Sequence, residues 1–122
     1  MANYADVNIV SCNIGALTND FRPLFKVPSG FGGITVLGAS YITETAGTST
    51  VELVDLGTAG TSIAGGTIFT GGSAVAVAGI PNAMTVDDGA TVSEGHWVGV
   101  KEANTGTTGA ITIVTLSYCM GK

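Results

Sequence analysis

Ala110-Ile111-Thr112-Ile113-Val114-Thr115-Leu116-Ser117-Tyr118-Cys119-Met120 settles the fold class. Apolar and hydroxyl side chains alternate with a period of two, the spacing that sends successive side chains to opposite faces of a β-strand. The alternation changes phase once. Ile111 and Ile113 share one face, after which Val114, Leu116, Tyr118 and Met120 share the other parity. An extra residue near Ile113-Val114 predicts this, because a bulge turns every later side chain over. Val51 and Leu53 followed by Val54 and Leu56 show the same slip. Strands that bend in this way suit a body in which the chain passes between two sheets, as a jelly roll requires.

Similar signals recur along the chain and predict strands over 4–10, 21–27, 33–43, 50–56, 66–70, 73–78, 83–86, 95–102 and 110–120. Between them lie residues tolerant of positive φ, among them Ser29-Gly30-Phe31-Gly32-Gly33, Gly71-Gly72, Asp87-Asp88-Gly89 and Asn104-Thr105-Gly106. No segment carries an apolar stripe of helical period. The expected fold is all-β: a single-domain antiparallel β-sandwich, jelly-roll-like, of about eight strands with essentially no helix. Residues 1–20, which are less regular, are expected to form an N-terminal strand or arm packed on a body of 21–122. Pro23 and Pro28 lack the N–H of a central strand and mark this region as an edge.

Composition narrows the function. Of 122 residues, 19 are glycine, which implies many tight turns, and only 11% are charged. A net charge of -5 and a sequence pI near 4.4 argue against nucleic acid as a partner, since that affinity comes from cations displacing counterions. The longest apolar run, 74–80, is far below the ~20 residues that span a bilayer, so no membrane partner is expected. The N-terminal residues lack the basic and apolar regions of a secretory signal, which predicts cytoplasmic synthesis.

Little chemistry is on offer. His96 is the single imidazole, too few for most zinc or non-haem iron sites, and reads more readily as a half-buried strand or surface group than as a ligand or base. Gly30-Phe31-Gly32-Gly33 has the glycines of a phosphate loop but neither a following helix nor Gly-Lys-Ser/Thr. Ser40 and Ser73 lack a nucleophile elbow. Asp87-Asp88-Gly89 with Glu94 offers oxygens for Ca²⁺ without the twelve-residue loop spacing, and reads as turn chemistry. The chain is therefore read as no enzyme, with no metal and no cofactor.

Surface recognition is the remaining class. In Phe21-Arg22-Pro23-Leu24-Phe25-Lys26-Val27 strict alternation places Phe21, Pro23, Phe25 and Val27 on one side, and Arg22 and Lys26 supply two of the chain's four cations. The strip is either a docking edge for an acidic partner or sister subunit, or an ordinary amphipathic edge strand. If Val98 and Val100 point inward, Trp97 and Lys101 point outward. Trp97 is then an anchor for a protein or a sugar; its alternative is a place in the core of a two-sided strand. Phe21, Arg22, Phe25, Lys26, Trp97 and Lys101 together make the candidate interface. Cys12 and Cys119 stand near the two ends. They are either two buried thiols or a bridge between the first and last strands, the latter requiring Cα atoms within ~7 Å.

Phe31-Gly32-Gly33-Ile34-Thr35-Val36, residues 51–63, His96-Trp97-Val98-Gly99-Val100-Lys101-Glu102 and residues 110–122 together give the chain the style of small bacteriophage virion proteins. It resembles capsid decoration (cement) proteins of jelly-roll or related β-sandwich fold, in length and strand pattern rather than through a diagnostic motif. The resemblance implies a structural protein on the outer capsid surface of the virion, made in the host cytoplasm. It also implies contacts with the major capsid protein and self-association, commonly as a homotrimer. An acidic protein would be repelled by packed DNA, which agrees with an outer position. The alternative is a receptor- or glycan-binding β-sandwich module of a head or tail fibre, built on Trp97 and nearby aromatics.

Overall fold

The computed structural model describes residues 7–17, 20–44, 47–63, 66–70, 73–76, 78–84, 90–104 and 111–121. Every regular element among them is a strand: β1 (Asn8–Leu17), β2 (Phe21–Lys26), β3 (Ile34–Thr43), β4 (Gly47–Asp55), β5 (Gly66–Thr70), β6 (Ser73–Ala76), β7 (Asn82–Met84), β8 (Thr91–Val92), β9 (Trp97–Asn104) and β10 (Ile111–Met120).

The strands form two five-stranded sheets. One runs β1-β10-β3-β7 with β8 also on β3, and the other runs β2-β9-β4-β5 with β6 also on β4. All these strand pairs are antiparallel. β5 and β6 follow one another along the same edge of β4, and β7 and β8 do so along β3, so each pair fills one interrupted lane. Ten segments thus occupy eight lanes, four in each sheet. The chain order, with β1 beside β10, β2 beside β9, and β3 and β4 in the next lanes, is that of a jelly roll, the architecture expected from the sequence.

The inner faces meet in one core. Ile34, Val36, Tyr41, Ile111, Val114 and Leu116 from the first sheet pack with Val51, Leu53, Val98 and Val100 from the second. Burying each such side chain contributes about 1.5–3 kcal/mol. Strand pairs of Val, Ile and Leu interdigitate well on a pleated surface, which is why these residue types appear at the inward positions.

The two expected phase changes resolve differently. In β10, Ile111 faces Thr43 and Ile113 faces Ile42, which leaves Thr112 as the bulged residue. Ile111 is therefore fully buried with Val114 and Leu116, whereas Ile113 lies on the half-exposed outer side. The slip comes before Ile113 rather than after it. In β4 there is no slip against β9: the register runs unbroken from Ser49 opposite Asn104 to Asp55 opposite Val98. The extra residue lies on β5, between Phe69 and Thr67. Val54 and Leu56 are buried at 1% exposure for a different reason, namely that the outer face of this sheet is itself covered there.

Candidate functional site

The strip read from the sequence is split by a bulge. β2 pairs with β9 so that Phe21 faces Lys101, Arg22 faces Val100 and Pro23 faces Gly99, but Phe25 then faces Val98 and Lys26 faces Trp97. Leu24 is the additional residue, and it reverses the alternation. Phe25 thereby turns inward, where its ring stacks on Tyr118 with centroids 5.4 Å apart and planes at 22°. Arg22 holds an inward register position at the sandwich edge and donates from Nη1 to the Ile14 carbonyl, joining β2 to β1. Phe25 is thus removed from the candidate surface, while Arg22 stays exposed and reaches toward β1. Phe21, Lys26, Trp97 and Lys101 remain together on the outer side of the β2-β9 pair, with Glu52 opposite Lys101.

Trp97 takes the outward side that inward-pointing Val98 and Val100 imply, and it is partly covered there. It lies on the outer side, half-buried, and Gly60 sits against its ring so closely that a Cβ there would stand 2.9 Å from the indole. Leu56 lies over Gly99 in the same way. Val54, Leu56, Gly99 and Trp97 form a small outer layer beneath the turn that follows β4. The glycine at 99 is what lets Leu56 lie flat on the sheet.

The thiols are not bridged. Cys12 pairs with Val114 near the middle of β10, and Cys119, close to the end of that strand, pairs with Thr35. Five residues of strand separate the two levels, about 17 Å at the usual rise, and the two side chains point to opposite faces. Cys12 packs against the core beside the Leu24 carbonyl, and burial pushes its thiol pKa up.

Several ionisable side chains hold turns. Nδ1 of His96 donates to the Asp55 carboxylate, 3.0 and 3.1 Å from its two oxygens, and the Gly57 N–H donates to Asp55 Oδ1 at 2.8 Å. This ties the start of β9 to the end of β4. Glu94 Oε2 accepts from the N–H groups of Gly30 and Gly32 at 2.8 and 3.3 Å. The glycine loop does form a concavity of N–H groups suited to an anion, and the chain's own carboxylate occupies it. Asp87-Asp88-Gly89, read beside Glu94 in the sequence, lies outside the described residues. Among the described residues no group of three His, Cys, Asp or Glu side chains gathers in metal-binding geometry. Among the described residues there is no helix long and apolar enough to cross a membrane.

Two features escaped sequence reading. Glu102 is 1% exposed, facing Val51 across the strands. Its parity with Val98 and Val100 was the available signal. The second is a depression of about 250 Å³ on the outer face of the β1-β10-β3 sheet, lined by Ile9, Gly38, Ser40, Thr115 and Ser117 among others. Gly38 lies opposite Ser117 and Ser40 opposite Thr115. Small side chains in adjacent rows, one of them a glycine, open the hollow. Compared with protein-family models, curated proteins and solved structures, the chain has no significant match.

Proposed function

We propose that this chain is a bacteriophage capsid decoration protein that binds the outer surface of the shell, contacts the major capsid protein and stabilises the lattice without catalysing a reaction. The observation that carries this reading is the employment of the polar side chains. Asp55, His96, Glu94 and Arg22 are engaged in clamping turns and edges of a small sandwich. What the frame offers a partner is shape and exposed apolar area: Ile9 is 73% and Phe31 59% exposed. The charge of -5 favours the side of a shell away from DNA.

The mechanism is one of differential affinity. A cement that binds the mature lattice more tightly than its precursor shifts the shell toward maturity by that difference, summed over many copies. Addition of the purified chain to expanded shells of the same virus is expected to raise their disruption temperature in a saturable way. An unchanged disruption temperature at saturating protein overturns the proposal.

A further inference from the structure

We propose that the outer face of the β2-β9 pair binds an extended acidic peptide segment of a partner, held by Lys26 beside Trp97 at one level and by Lys101 beside Phe21 at another. The chain carries four lysines and arginines against nine acids. Three of the four, Arg22, Lys26 and Lys101, lie on β2 and β9, and no other lysine or arginine occurs among the described residues. In a chain of net charge -5, a negative segment is repelled by the molecule at large. Among the described residues this strip is where it meets attraction instead.

The strand register arranges the strip in two levels. Lys26 stands opposite Trp97 and Phe21 opposite Lys101, with Pro23 opposite Gly99 between them. Each lysine thus has an aromatic residue as its cross-strand neighbour, the relation in which side chains interact across a sheet. Lys26 and Pro23 are exposed, and Phe21, Trp97 and Lys101 are half-buried. Arg22, exposed at the sandwich edge, gives an N–H to the Ile14 carbonyl, a neutral acceptor that leaves its charge uncompensated. Of the acids nearby, Asp20 accepts from the Phe21 N–H and Asp55 pairs with His96, while Glu52 faces Lys101 from β4. The cations therefore outnumber the acids that share their face.

Charge selects the occupant. A neutral segment gains nothing from the lysines and a basic one is repelled, so complementarity specifies an acidic one. Spacing specifies its form. Trp97 and Lys101 are four residues apart on β9, about 13 Å at the usual rise of a strand. An extended peptide lying along the strands presents same-face side chains at every second residue over that length. Carboxylates four residues apart then meet the two levels, and an uncharged side chain midway meets Pro23. The inference deepens the decoration reading, which makes the shell protein the source of the segment. Its test uses a peptide with no shell present, so the two fail separately.

The test is titration of the chain with a synthetic peptide in which two glutamates four residues apart flank a leucine and the other positions are threonine or serine. Trp97 is the single tryptophan, so its emission reports binding at the strip itself. A saturable change in that emission is expected at low salt, with affinity falling as salt screens the charges. Lys26→Gln and Lys101→Gln are each expected to weaken binding by roughly 3-fold, and together by roughly tenfold, while far-UV circular dichroism shows the fold intact. The same peptide with glutamine in place of glutamate is expected to bind far more weakly. No saturable response to the acidic peptide, equal binding of the glutamine peptide, or native affinity in the folded double variant overturns the proposal. Tighter binding of polygalacturonate than of the peptide, or self-association that the double variant abolishes, overturns it as well, by assigning the strip to a glycan or to a second copy.

Discussion

Among the described glycines, Gly99 is the one where an added Cβ would meet its neighbours most closely. A Cβ there would stand 2.6 Å from Leu56 Cδ1 and 2.9 Å from the Arg22 carbonyl oxygen, and the latter is backbone and cannot swing aside. Gly99→Ala is expected to destabilise the protein by about 1–3 kcal/mol, as overpacking does, measured by chemical denaturation. Cys12 makes a second prediction. Burial raises its thiol pKa, so in the folded protein it keeps its proton at pH values where the unfolded chain has begun to lose it. Its stabilising share is complete below the ordinary thiol pKa and is lost as pH climbs through the raised one. Alkylation of Cys12 in the native protein at mildly alkaline pH should lag behind alkylation in denaturant; equal rates would contradict its placement. Both positions show what a single chain of letters conceals. Cys12 is half-buried, which its apolar character accommodates, but the demand for glycine at 99 comes from Leu56 and Arg22, which only the pairing of β9 with β4 and β2 brings to it.

Among the elements, β10 and β2 carry the informative bulges. With Thr112 bulged, Ile111 lies in the core and Ile113 does not. Ile111→Ala should cost about 2–5 kcal/mol, whereas Ile113→Thr should cost less than about 1 kcal/mol. Equal losses would restore the bulge to the Ile113-Val114 position suggested by the sequence. Alternation in the chain reveals that a phase change exists, and places it within two residues. It does not locate the bulged residue, because that is fixed by the partner strand and not by the strand's own pattern. The same limit explains β2, where uninterrupted alternation put Phe25 on the surface and an extra Leu24 put it against Tyr118. It also explains β4, where a second row of buried apolar residues mimics a slip. The loop between β2 and β3 offers a further check. Glu94→Ala removes the acceptor of two backbone N–H groups, so hydrogen exchange at Gly30 and Gly32 should quicken several-fold while strand amides keep their protection.

For the molecule as a whole, the jelly roll follows from properties that composition and period already display: abundant glycine for turns, hydroxyl-apolar alternation for two-faced strands, and no helical stripe. The eight lanes agree with the number expected, and the two interrupted lanes account for the ten segments. The candidate surface was less visible. Phe21, Lys26, Trp97 and Lys101 do lie together, but the hollow over Gly38 arises from three strands distant in sequence, and no local pattern announces it. The role proposed above has this acidic sandwich, with Arg22, Asp55, Glu94 and His96 engaged in its own turns and edges, lie against a larger assembly. The most direct test is cosedimentation of the purified chain with precursor and expanded shells of the major capsid protein from the same virus. Saturable binding to expanded shells, with weaker binding to precursor shells, is the predicted result. Failure of the folded protein to sediment with either shell would contradict it.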